Sequence, residues 1–490
     1  MSSSKKEIGK NVNLKSKIIS GMVWKFGERV IAQGVSFIVS MVLARLLMPE
    51  DYGTVSVVLL FINIANVLIN NGLSVALIQQ KEVSQREFST VFYCNLLLGI
   101  FLYVVLYVTA PLIARIYKTP ELVSILPILA LILPLTSIQS IQNAYVSKKM
   151  LFQKFFFSTL GGTIFSGIVG IGMAMAGFGA WALVAQYMVN VIVNILIMFI
   201  SIDWRPTLEF SFSDIVPLVQ YGWKVLCTDL IGNFSNQLNE FIIGSRYSTV
   251  DLAFYSKGKQ LPHMVSNNIY TTILSVLFPA MSIINDNKVE VKQMSRKSIQ
   301  LLSFVMFPVM TGLIVVAEPV IILLFTEKWL EAVPFMRIIC LEGMISVVGT
   351  ITLQSLKAMG RSDIMLNLEF IKKPIYFLLV ILLMRHGVLA MVWALPIKAI
   401  VELVLNALPT NKIISYNLVE QLLDCLPALA LSCVMAIIVH GISLFQWNLY
   451  LTLIVQIVAG VVSYFLIACI TRNSSMMFLI GMVQNKLKRK

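Results

Sequence analysis

The chain has 490 residues, 58% of them hydrophobic and 13% charged, with a mean hydropathy of +0.85. Soluble domains carry about 25% charged residues, so a soluble fold is set aside in favour of a polytopic membrane protein. The net charge of +14 is no signature of nucleic acid here, because the basic residues gather in the loops of one side; no nucleic-acid partner is expected.

Residues 1–17 are polar and basic, with Lys5, Lys6, Lys10, Lys15 and Lys17. The apolar stretch that follows runs to about Leu47 without a small-residue cleavage site. It reads as a cytoplasmic stub before a retained helix, not as a signal peptide. Hydropathy then predicts fourteen helices, over 18–47, 54–79, 88–116, 121–145, 154–176, 179–201, 213–244, 250–283, 298–325, 331–356, 364–384, 388–408, 418–440 and 447–471. A span needs about 20 mostly apolar residues. Most loop Lys and Arg fall on the side of the N-terminus, as in Lys148, Lys149 and Lys154, or Lys288, Lys292, Arg296 and Lys297. The positive-inside rule therefore puts both termini in the cytoplasm, and an even helix count agrees.

No loop is long enough for a folded extramembrane domain, so the work of the protein is expected inside the bundle. The six cysteines (Cys94, Cys227, Cys340, Cys425, Cys433, Cys469) lie in apolar segments without a CxxC and read as small core residues. The three histidines are scattered, so no zinc site is expected.

Short matches recur at offsets of about 200 to 212 residues. Trp24-Lys25 returns as Trp223-Lys224. Arg45 ahead of Asp51-Tyr52-Gly53 returns as Arg246 ahead of Asp251-Leu252-Ala253. Gln142-Asn143 before Lys148-Lys149 matches Gln354-Ser355 before Lys357 and Arg361, and Gly177-Phe178-Gly179-Ala180 matches Gly387-Val388-Leu389-Ala390. These divide the chain into six-helix lobes over 18–205 and 210–410. Helices over 411–475 and a basic tail over 476–490 follow. An even number of helices per lobe makes a parallel repeat about the membrane normal, a common transporter plan.

Ionisable residues inside spans cost about 2.5–3.5 kcal/mol each on insertion scales and usually face a bundle interior. At about 1.5 Å per residue from Ile18, Lys25 lies roughly 10 Å deep and Arg29 roughly 16 Å, near the midplane. Snorkelling explains Lys25 and explains Arg29 poorly. The two share one helix face, and Glu28 offsets part of their charge; an anion would relieve the rest. Further polar stripes carry Asn66 and Asn70, then Lys224, Asp229, Asn236 and Glu240, then Lys257 and His263, and lastly Lys398 and Glu402. Interhelical hydrogen bonding explains the Asn residues at about 0.6 kcal/mol per contact. For the basic residues of both lobes a shared polar cavity is the preferred reading. Lys372 and Lys373 also suit anchors at a cytoplasmic helix end.

LARLLMPEDYG (43–53), GLSVALIQQKEVSQREFSTVFYCNLLLG (72–99), APLIARIYKTPEL (110–122) and GFGAWALVAQ (177–186) resemble the polysaccharide-transporter family of the multidrug/oligosaccharidyl-lipid/polysaccharide exporter superfamily. The likeness is to Wzx-type flippases of the colanic-acid and teichuronic-acid export kind. Met48 departs from the pattern, which has a small hydroxylated residue there, so the expected side-chain cap is missing. The resemblance implies an all-α fold of two six-helix lobes in a V around a central cavity, plus two C-terminal helices. It implies flipping of undecaprenyl-pyrophosphate-linked oligosaccharide to the outer leaflet of the bacterial inner membrane by alternating access. Lys25, Arg29, Lys224 and Lys257 would then hold the pyrophosphate. Glu28, Asn66, Asn70, Asp229, Asn236, Glu240, His263, Lys398 and Glu402 would line the cavity or bind a coupling Na+ or H+. No other cofactor is expected. The partners would be the lipid-linked oligosaccharide and membrane lipids, with a polysaccharide polymerase and glycosyltransferases as associated enzymes.

Two rival classes remain. A cation-coupled multidrug exporter of the same superfamily would need an acidic, aromatic site, whereas the buried charge leans basic. A membrane glycosyltransferase or polymerase would need paired carboxylates in a substantial outer loop; there is no such loop and no DxD triplet, so no enzyme is expected.

Overall fold

A computed structural model describes residues 24, 27, 30–80, 83–445 and 447–487. Every regular element among them is a helix, the form that satisfies its own N–H and C=O groups within lipid. The chain divides into two compact units, Met1–Ala253 and Phe254–Lys490.

In the first unit α1 (Val30–Leu46) is followed by α2 (Pro49–Asn71), α3 (Leu73–Gln79), α4 (Gln85–Ile116), α5 (Leu122–Ala130), α6 (Ile132–Lys149), α7 (Phe152–Met175), α8 (Ala180–Ser201) and α9 (Phe212–Arg246). The first residues of α10 (Thr249–Ile283) close it. The second unit takes the rest of α10, then α11 (Lys288–Val315), α12 (Ala317–Phe325), α13 (Ala332–Ala358), α14 (Ser362–Leu383), α15 (Val388–Val392), α16 (Ala394–Ile414), α17 (Leu418–Ser443), α18 (Leu449–Ile470) and α19 (Ser474–Leu487). Among the described residues ten spans are long and apolar enough to cross a membrane. The helices α9, α10 and α14 have the length, at 35, 35 and 22 residues, but carry polar stripes. With α1 they complete the expected fourteen.

Three expected spans are broken helices. The one over 54–79 starts earlier, at Pro49, and breaks at Gly72. The one over 121–145 breaks at Leu131, and the one over 298–325 breaks at Val316. In the last two a proline (Pro134, Pro319) stands three residues after the break; it lacks the N–H that would have continued the ladder. The helix expected from 298 starts at Lys288, where Asn287 accepts hydrogen bonds from the N–H groups of Val289 and Glu290 at 3.1 and 3.3 Å. Its early charges are helical turns, not a loop. At Met48 the missing cap is replaced from inside the helix: the Met48 N–H donates to Asp51 Oδ2 at 3.0 Å.

Buried small polar groups tie helices together. In the first unit Ser74 and Ser140 hydroxyls lie 2.7 Å apart, and Asn95 donates to Ser74 at 3.0 Å. In the second, Ser295 and Ser355 repeat the 2.7 Å contact. Close backbone approach does the rest. A Cβ on Gly258 of α10 would fall 2.7 Å from the Ala332 carbonyl oxygen and 2.9 Å from Phe335 Cβ. Gly258→Ala is expected to force α10 off α13 and cost about 1–3 kcal/mol. A lowered unfolding midpoint of the detergent-solubilised chain would show it; an unchanged midpoint would refute the close packing.

Candidate functional site

In the first unit, α2 presents Asn66 and Asn70. Thr136 of α6 donates to Asn66 Oδ1 at 2.8 Å, and Asn70 donates to the Asn66 carbonyl at 3.0 Å. On α9, Asn233 donates to the Asp229 carbonyl at 3.1 Å. Asp229 and Glu240 are half-buried and Asn236 is exposed. Lys224 lies within α9, its side chain outside the described residues. Lys25, Glu28 and Arg29 also fall outside them.

In the second unit three helices bring titratable groups together: Lys259 and His263 from α10, Glu342 from α13, and Lys398 and Glu402 from α16. Lys398 and Glu402 are one helical turn apart and form a 3.8 Å ion pair. The Lys398 ammonium also lies 5.1 Å from the ring centre of Tyr376 on α14. Lys259 stands 5.7 Å over the Tyr255 ring. His263 has Lys259 and Lys398 as charged neighbours. For Glu342 they are Lys398, Glu402 and Lys259.

Lys257 is placed differently. It is 5% exposed, with its ammonium 5.3 Å over the Phe325 ring and 5.7 Å over the Trp329 ring. Cation–π contact of this kind is strongest where water is excluded. Lys372 is buried as well, 3.6 Å from Glu369.

Two features escape a linear reading. Glu342 is a lone carboxylate in an apolar run, IICLEGMISV; that isolation is the one signal the sequence holds for it. Asp424 of α17 accepts from Arg296 Nε and Nη2 at 2.8 and 3.0 Å, from Gln300 at 2.8 Å and from the Tyr416 hydroxyl at 2.7 Å. Lys292 adds a 2.9 Å pair with Glu420. This network clamps α17 to the start of α11. A largely apolar cavity of about 370 Å³, lined by Phe304, Met435, Gln456 and Tyr464 among others, shares no residue with the titratable cluster. Among the described residues no group of three His, Cys, Asp or Glu side chains could hold a metal ion.

Apolar spans with ionisable side chains gathered inside a helical unit define a polytopic membrane transport protein. The family model described as "Polysaccharide biosynthesis protein" matches residues 42–334, and the chain belongs to that family, the polysaccharide transporters of the exporter superfamily. It is 26% identical over 415 residues to the Teichuronic acid biosynthesis protein TuaB of Bacillus subtilis (strain 168), covering 82% of this chain and 84% of that one. It is 24% identical over 355 residues to the Succinoglycan biosynthesis transport protein ExoT of Rhizobium meliloti (strain 1021), covering 72% of each. Among solved structures, the lipid II flippase MurJ in an inward closed conformation shares the fold. Its TM-score is 0.69 at 17% identity, over 93% of this chain and 99% of that one.

Proposed function

We propose that this chain is a flippase that carries an undecaprenyl-pyrophosphate-linked oligosaccharide from the cytoplasmic to the outer leaflet for surface-polysaccharide export. It is a transport protein, not an enzyme. The observation that carries the reading is the cluster of Lys259, His263, Glu342, Lys398 and Glu402 inside a helical unit, where a purely structural bundle would hold apolar side chains. Family membership and the relatives' roles in polysaccharide biosynthesis support it.

In this reading Lys25, Arg29 and Lys224 meet the pyrophosphate; arginine offers it a fork of donors and lysine a point charge. Asn66, Asn70 and Asn236 meet sugar hydroxyls. The membrane is the bacterial inner membrane, with both termini cytoplasmic. A coupling Na+ or H+ would be bound by carboxylates of the spans. A polymerase and glycosyltransferases act before and after the transport step.

The test is complementation of a strain that lacks its own polysaccharide flippase. Expression of the chain is expected to restore surface polysaccharide and to clear lipid-linked repeat units from the cytoplasmic leaflet. Restored membrane insertion without either effect would overturn the reading.

A further inference from the structure

Glu342 is the only acidic residue of α13, whose other charges are Arg337 and Lys357. Its Oε1 accepts from the Ser346 hydroxyl at 3.0 Å, and the carboxylate makes no ion pair with a described residue. Its cationic neighbours are engaged elsewhere: Lys398 pairs with Glu402 and Lys259 leans on Tyr255. The surroundings are otherwise neutral. From α10 come His263 and Tyr270, whose hydroxyl donates to the Gly343 carbonyl at 3.1 Å. From α14 comes Tyr376, beside Lys398. Helix α11 meets this stretch through Met310 and Thr311. The helices α12 and α15 carry a single ionisable residue between them, Glu318. Cys340 lies on the same helix.

With His263 neutral, the cluster sets two carboxylates against two ammonium groups. A carboxylate inside a span and without an ion pair is costly to keep charged. A pyrophosphate diester brings two negative charges that cost far more in the same surroundings.

We propose that Glu342 takes up one proton from water, onto Oε2, when the anionic head group of the substrate binds. The cluster then passes from no net charge to +1 and offsets part of the charge that the head group carries inward. The inference rests on the flippase reading and adds to it a proton bound together with the anion. Linkage makes the effect reciprocal: the anion favours the proton, and the proton tightens the anion. Binding therefore strengthens as pH falls through the titration of Glu342. One added unit charge near the head group changes affinity on the order of tenfold.

The test uses the purified full-length chain in detergent with undecaprenyl-pyrophosphoryl-N-acetylglucosamine, a diester whose two phosphates stay ionised through neutral pH. Binding heats in buffers of different ionisation enthalpy give the protons taken up. Wild type is expected to take up about one proton per ligand bound and to bind about tenfold tighter at the acidic end of the window. Glu342→Gln is expected to take up none and to bind with the low-pH affinity throughout. His263→Gln and Glu342→Asp are expected to keep the uptake, which excludes His263 as its seat and guards against a folding defect in the amide variant. An infrared band of a protonated carboxyl should appear on acidification in wild type and be missing from Glu342→Gln, with or without ligand. Binding without proton uptake, or uptake that survives Glu342→Gln, overturns the proton site. A failure to bind the probe, with the infrared band present, overturns the flippase reading instead.

Discussion

Alanine at Arg29 is expected to abolish surface-polysaccharide export while the protein stays at its normal level in the membrane. Counted along the first span, Arg29 lies roughly 16 Å in, too deep to reach the interface by stretching. Holding a guanidinium there costs about 2.5–3.5 kcal/mol on insertion scales, so its removal does not impair insertion. What is lost is a planar fork of donors that binds phosphate through two parallel hydrogen bonds. Arg29→Lys keeps the charge without the fork and is expected to retain partial export. Lys224→Ala, the counterpart position in the repeat, is expected to reduce export in the same assay. Normal export by both alanine variants, at normal protein levels, would sink the anion-site assignment. A fall in protein level would instead mark the residues as structural.

Asp424→Ala is expected to give the largest loss of stability in the second unit, about 3 kcal/mol. The carboxylate side chain is 4% exposed and Arg296 is 44% exposed. Without Asp424 the arginine turns to water at little cost. Tyr416, which is fully buried, and Gln300 lose their acceptor, and an unsatisfied buried donor costs about 1–3 kcal/mol. The clamp between α11 and α17 goes with them. Thermal unfolding of the detergent-solubilised chain should show a midpoint several degrees lower, and Asp424→Asn, which keeps an acceptor oxygen, should lose less. Equal midpoints for wild type and the alanine variant would show that apolar packing alone holds α17 in place.

Much of this architecture is written along the chain. A bilayer leaves a polypeptide few options, so runs of about 20 apolar residues with turn signals between them become helices. Even the failures of hydropathy were informative, because α9, α10 and α14 fall short in apolarity through the residues that matter most, such as Asp229, His263 and Lys372. Boundaries were less legible where charge stood in the first turns of a helix. Lys292 and Arg296 read as loop because their partners, Glu420 and Asp424, lie 128 residues away. The breaks at Leu131 and Val316 were encoded by Pro134 and Pro319, yet hydropathy runs straight across a proline.

The sequence by itself determined a membrane-embedded all-α protein, its motifs of the polysaccharide-transporter family, and polar stripes on apolar helices. Each of these is local, set by composition within one helix length. Only the tertiary structure decided which of those side chains meet. It set Lys257 against Phe325 and Trp329, and it gathered Lys259, His263, Lys398 and Glu402 around a carboxylate, Glu342, that no stripe had marked. Helical periodicity gives the face on which a residue lies, but its neighbours come from how helices far apart in the chain pack. The charge a site holds is therefore a property of the packing.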